Sequence, residues 1–133
     1  MSKKYISKIN KGGNDIFIKD SEARTSIGSL ETAIVSCTTA TLPATLSTST
    51  YYNITDAVSS VTLTLPTITD NSKVSIVAVY FTTSTGTPSV TIASASSQTI
   101  AYFSGYMIKA STSYELNIMW NGTKWIVAYA VVE

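Results

Sequence analysis

The sequence predicts a mainly β protein. A small hairpin and a short helix occupy residues 1–40, and an antiparallel β-sandwich or jelly-roll-like head occupies 41–133. Three observations carry this reading. Short apolar or apolar-alternating runs recur from Val61 onward, separated by Pro, Gly and Asn, as strands do in sandwiches and barrels. Asn121-Gly122 stands between two long alternating runs and is the strongest two-residue hairpin signal. Composition also shifts near residue 40: residues 1–24 hold six of the nine basic groups, while 41–133 hold only Lys73, Lys109 and Lys124.

The first element is a hairpin. Tyr5-Ile6-Ser7-Lys8-Ile9 and Asp15-Ile16-Phe17-Ile18-Lys19 are β-like, and Lys11-Gly12-Gly13-Asn14 between them tolerates positive φ. A helix follows, capped by Asp20 or Ser21, with Glu22 complementing its positive end and no proline from 23 to 35. Ala23, Ile27, Leu30 and Ile34 are spaced four, three, four, an a/d stripe. Two readings stand for it: the face of one helix on its own domain, or a short parallel coiled coil between copies. Burying Ile27, Leu30 and Ile34 returns roughly 5–9 kcal/mol gross. Ordering the backbone of such a helix costs about 1–2 kcal/mol per residue before its hydrogen bonds are counted. The stripe therefore sets register in an oligomer held by something larger.

Residues 36–50 read as a Ser/Thr linker leading into a first edge strand, because Pro43 argues against a central one. Val61, Leu63 and Leu65 alternate with Ser60, Thr62 and Thr64 up to Pro66, a half-buried strand. Residues 74–81 are apolar on both faces, as in a covered central strand. Thr85-Gly86-Thr87-Pro88 breaks that run, and short strands follow at 90–92, at 99–103 and, past Gly105, up to Lys109. A two-residue loop at Asn121-Gly122 places Ile118 opposite Trp125, Leu116 opposite Val127 and Tyr114 opposite Tyr129, all on one face. The second face carries Glu115, Asn117 and Met119 beside Lys124, Ile126 and Ala128. It is semi-apolar, and either the same domain or another subunit can cover it.

Composition excludes several functions. Charged residues make up 13% of the 133, about half the usual share, and 41 Ser and Thr take their place. Nine basic against eight acidic residues leave +1, so nothing draws this chain to nucleic acid or to an anionic membrane. No run reaches the 18 apolar residues of a spanning helix. The basic start lacks the apolar stretch of a secretory signal, so synthesis in the cytosol is expected. Asn53-Ile54-Thr55 and Asn121-Gly122-Thr123 fit the glycosylation pattern, which means little without secretion.

Chemistry is equally restricted. There is no histidine, which rules out Ser–His and Cys–His pairs, and the single cysteine, Cys37, allows neither an internal disulfide nor a multi-cysteine metal site. Cys37 has no cationic neighbour in sequence to stabilise a thiolate and reads as inert. A glycosidase-type carboxylate pair is formally available from Asp56, Asp70, Glu115 and Glu133. Asp56 and Asp70, however, stand in turn-like contexts where aspartate closes Asx-turns, and calcium ligation there would need mostly carbonyl oxygens. No enzyme activity, cofactor or metal is expected. Tyr51, Tyr52 and Tyr106, near expected turns, form a candidate glycan-stacking set, the alternative being ordinary aromatic β-propensity.

One stretch resembles a family. Ile16-Phe17-Ile18-Lys19-Asp20-Ser21-Glu22-Ala23-Arg24, followed by Ile27 and Leu30, is similar to the amino-terminal segment of fibre and appendage proteins of tailed bacteriophages, in which a basic hairpin leads into a helix. The likeness spans about twenty residues. Beyond it, the Ser/Thr-rich strands and the Trp-Asn-Gly-Thr-Lys-Trp hairpin share only texture with fibre heads. The resemblance implies a head or tail fibre or a capsid decoration protein, commonly trimeric. Ile16, Phe17, Ile18, Lys19, Asp20 and Arg24 would dock on capsid, portal or tail proteins, and Ala23, Ile27, Leu30 and Ile34 would join the copies. It places the protein in the virion, with a cell-surface glycan as a further candidate partner.

Overall fold

The computed structural model describes residues 33–133. The hairpin expected over 5–19, most of the expected helix, and Ile16, Phe17, Ile18, Lys19, Asp20, Ala23, Arg24, Ile27 and Leu30 lie outside these residues. The described part is mainly β, with eight strands: β1 Ala33–Cys37, β2 Thr50–Val58, β3 Ser60–Leu65, β4 Ser75–Thr83, β5 Ser89–Ser94, β6 Ile100–Tyr102, β7 Ser113–Trp120 and β8 Trp125–Val132. Residues 33–35, which the sequence reading gives to the end of the helix, are strand. Ile34 and Val35 are β-branched and pair in parallel with Tyr51 and Tyr52 of β2. Ala33–Cys37 thus belongs to the sheet, although the sequence reading groups it with the amino-terminal segment.

Six strands form one sheet in the order β1-β2-β4-β7-β8-β6, and β3 pairs with β5 in a second. The expected antiparallel arrangement is corrected here. Only β4–β7 and β7–β8 are antiparallel, whereas β1–β2, β2–β4, β3–β5 and β6–β8 are parallel. The cause lies in the connections. Ser59 alone separates β2 from β3, too little chain for β3 to fold back along β2, since a hairpin needs a loop of about two residues or more. The chain crosses instead to the second sheet and returns for β4, then crosses again for β5. Consecutive turns of this coil are joined at their corners: Ser84 N–H donates to Val58 O (2.8 Å), Ser89 N–H to Ser59 O (2.9 Å) and Ala95 N–H to Leu65 O (2.9 Å). Gly86, at φ 92°, makes the β4–β5 corner, a backbone region open to glycine at little steric cost.

Between β1 and β2 the chain meets the second sheet at Leu46. Leu46 N–H donates to Thr64 O (2.8 Å) and its side chain is buried. The strand expected near Pro43 reduces to this contact, because 41–49 is otherwise turn and coil.

The inward residues of both sheets meet in one cluster. Leu63 and Leu65 of β3 and Ile92 of β5 pack with Val77, Val79, Phe81, Leu116, Ile118 and Val127 of the larger sheet. The alternation expected at 61–65 is present, with Val61, Leu63 and Leu65 inward. Each fully buried Leu or Ile here contributes about 1.5–3 kcal/mol. β4 is central, as expected, but only its inner face is fully covered: Val77, Val79 and Phe81 have no exposed surface, while Ile76 retains 38%.

The closing hairpin differs from expectation by a register shift of two residues. Trp120 faces Trp125, Ile118 faces Val127, Leu116 faces Tyr129 and Tyr114 faces Val131. The loop therefore has four residues, not two. Asn121 organises it: its side-chain oxygen accepts the N–H groups of Thr123 (3.0 Å) and Lys124 (2.9 Å), and its own N–H donates to Lys124 O (3.1 Å). The indole rings of Trp120 and Trp125 meet edge to face at 5.6 Å, a favourable cross-strand pair. A register shift of two keeps every side chain on its face, so the inward set of the hairpin is as expected.

Candidate functional site

Two surfaces stand out. The first is the outer face of the six-stranded sheet. Strand alternation directs Ile34, Tyr51, Ala78, Asn117 and Ala128 to one outward row, and Ile76, Met119 and Ile126 to the next. Ile34 is 76% exposed and Met119 43%. Glu115 is the single charged residue among the outward residues of the strand ladders, and its charge is already engaged. Tyr51 Oη donates to Glu115 Oε1 (2.7 Å), and Asn117 Nδ2 donates to Oε2 (3.3 Å). Burial, and then the hydrogen bond to Glu115, push the Tyr51 phenol up to about 12. The result is a broad face of Ile, Met, Ala, Val and Tyr, interspersed with Ser36, Asn53, Thr82, Ser113 and Asn117, with little charge to solvate it.

The three candidate glycan tyrosines are not brought together. Tyr51 and Tyr52 are consecutive in β2, not in a turn, so they point to opposite faces. Tyr51 is a bridge on the outer face. Tyr52 is buried, its hydroxyl accepting Ser47 N–H (2.8 Å). Tyr106 lies elsewhere, between Tyr102 (centroids 4.7 Å apart) and Tyr129 (5.3 Å, edge to face). Its Oη is buried with no partner among the described residues, and burial pushes this phenol up to about 12.

The second surface lies beside Tyr106. The 103–112 connection between β6 and β7 covers the inner face of the sheet where β7 begins and β8 ends. Between them opens a cleft of about 400 Å³, lined by Met107, Lys109, Thr112, Tyr114, Tyr129 and Val131. The connection is held firmly. Thr83 Oγ1, on a buried residue, donates to Lys109 O (2.6 Å) and accepts Thr112 N–H (3.0 Å). Ser111, at φ 52°, donates its N–H to Ser84 O (3.0 Å). Tyr129 Oη donates to Gly105 O (2.7 Å), and Tyr114 Oη accepts Lys109 N–H (2.8 Å). Sequence reasoning found Tyr106 here but missed Tyr129, Met107 and Lys109. The available signal was Gly105 followed by Tyr106-Met107, a turn with apolar residues that no strand absorbs.

The carboxylates serve local structure. Asp56, at the bulge of β2 between Asn53 and Ala57, accepts Thr39 N–H (2.8 Å) and Thr39 Oγ1–H (2.6 Å). These bonds hold its carboxyl below the ordinary range. It joins two elements instead of closing the Asx-turn expected of it. Asp70 does close such a turn, accepting Ser72 N–H (3.0 Å) and Oγ–H (2.6 Å). Cys37 ends β1, buried in the core, and burial pushes its thiol up, with Asp56 adding to the effect. No group of three or more His, Cys, Asp or Glu comes together among the described residues. No helix among them is long and apolar enough to cross a membrane.

No protein-family model, curated protein or solved structure matches the chain.

Proposed function

We propose that this chain is a structural protein of a tailed-bacteriophage particle, a small head or tail fibre or a capsid decoration, that works by assembly and attachment and not by turnover. The observation that carries the reading is the outer face of the six-stranded sheet: semi-apolar, nearly uncharged, and covered by nothing among the described residues. Its occupant is a second copy of the same chain. Six strands about 4.8 Å apart, with ladders averaging roughly six residues at about 3.3 Å each, present about 500 Å². Two such faces bury about 1,000 Å², the lower bound for a specific interface. The amino-terminal likeness supports the rest of the reading. In it Ile16, Phe17, Ile18, Lys19, Asp20 and Arg24 dock on other virion proteins, and Ala23, Ile27 and Leu30 keep the copies in register. The two packed sheets then act as a sandwich-like head.

The test is native mass spectrometry of the full chain beside Met119→Lys combined with Ile126→Glu. An oligomer that falls to the monomer mass, with an unchanged circular-dichroism spectrum, supports the reading. A monomeric parent chain, or an oligomer indifferent to both charges, overturns it. A particle reconstituted with the variant is expected to lack this protein.

A further inference from the structure

We propose that the cleft between the 105–112 connection and the ends of β7 and β8 binds a pyranose ring carrying an acidic group, a unit of an anionic polysaccharide. Its volume, about 400 Å³, falls in the range of small-molecule sites. The argument starts from what the lining leaves free. The hydroxyl of Tyr129 is committed to the main chain of the connection, so this half-buried residue offers a ligand its ring, while Tyr114, buried and tied to Lys109 N–H, backs the floor beneath it. The apolar C–H face of a pyranose is attracted to the electron-rich face of such a ring. A ring fixed at both ends loses little freedom on binding, which favours a preformed site.

The rim is apolar as well: Met107 is 59% exposed and Val131 53%. Two polar groups rise from this floor. The Lys109 ammonium is exposed, with no carboxylate beside it in the lining. Thr112 Oγ1 donates to Ala110 O (2.8 Å) and keeps its lone pairs for an incoming hydroxyl. A ligand that satisfies all three needs an apolar ring face, a hydroxyl donor and an anion. A sugar acid has all three; an aliphatic side chain has only the first. Behind the cleft, Tyr106 packs its ring against Tyr129 and buries an unpartnered hydroxyl. That ring contact, edge to face at 5.3 Å, is what fixes the orientation of Tyr129, and Tyr106 does so without touching the ligand.

The experiment is saturation-transfer NMR on the full chain with three probes: a galacturonate trimer, sialylated lactose and plain lactose. Saturation of ring protons in at least one acidic sugar, stronger than in lactose, is expected. Lys109→Ala should weaken that binding about tenfold or more, since hydrogen bonds to charged groups are strong, while leaving the thermal midpoint in place. Met107→Asp should abolish acidic-sugar binding by repulsion, with the fold and the mass by native mass spectrometry unchanged. No saturation of any probe by the folded chain overturns the proposal. So does equal binding of lactose and the acidic sugars, and so does an oligomer that Met107→Asp dissociates, which would assign the cleft to a protein contact.

Discussion

The winding of β1 to β5 and the hairpin of β7 and β8 build one core by opposite means. In the hairpin, Trp120 meets Trp125 five residues later, and a single Asn side chain closes the loop. In the winding, Thr50 meets Val77 and Ser60 meets Ser89, so each pairing waits on a whole circuit of chain. Closing those longer loops costs more entropy and slows folding. What returns that cost is the corner hydrogen bonds and the inward side chains, which the winding shares with the hairpin. Local chemistry fixes one half and collective burial the other.

Deleting one core side chain from each half breaks the comparison most severely. Trp125 and Leu63 have no exposed surface and belong to the same cluster. Trp125→Ala should destabilise by about 3–5 kcal/mol and Leu63→Ala by about 2–5 kcal/mol. Because the core is shared, each variant should unfold in one transition by both Trp fluorescence and circular dichroism. If Trp125→Ala melts the hairpin while the rest unfolds later, the two halves are separate units and the shared-core account fails.

A gentler probe compares a glycine from each half. Gly86 and Gly122 have φ of 92° and 95°, but a Cβ at Gly86 meets nothing within 4 Å, whereas at Gly122 it falls 2.9 Å from Asn71 O. The same loop also gives Asn71 Oδ1 to Trp120 Nε1 (3.1 Å). Gly86→Ala should cost about 1 kcal/mol, the left-handed penalty alone. Gly122→Ala should cost about 2–3 kcal/mol, since a main-chain carbonyl must move as well. Equal urea midpoints for the two variants would show that the 70–72 loop yields freely.

The same contrast explains what was legible in the residues. Leu63 and Leu65 announce their strand through alternation, and Asn121-Gly122 announces a turn. Both signals are local. Even there, the loop length escaped, because the indole pair and the Asn121 side chain, not the dipeptide, set it. Parallel pairing escaped entirely, since the decisive feature is one residue, Ser59, too short for a hairpin. Tyr51 and Tyr52 looked like a platform only until strand alternation separated them. The cleft was half legible: Gly105 and Tyr106 mark a turn, but nothing local says that the connection folds back onto Tyr129 and Tyr114, where its main chain is held. Ile34 completed a helical stripe on paper and lies in a strand, where its pairing with Tyr51 decides.

The smallest expected effect concerns acid. Asp56 ties the 38–41 turn to the bulge of β2 across 17 positions, while Asp70 closes a turn with a residue two positions away. Both carboxyls sit below their ordinary range, Asp56 through Thr39 and Asp70 through Ser72. A carboxyl depressed in the folded state adds stability above the unfolded value of about 4, and this is lost as pH falls through the lower folded value. Asp56→Asn should therefore flatten the fall of the urea midpoint below pH 4, because it removes one proton uptake linked to unfolding in acid. Asp70→Asn should flatten it less: its short turn survives in part in the unfolded chain, where local Asx pairing costs little loop entropy. An acid profile unchanged by Asp56→Asn, or changed more by Asp70→Asn, would show that the 38–41 turn contributes nothing to holding the edge of the winding.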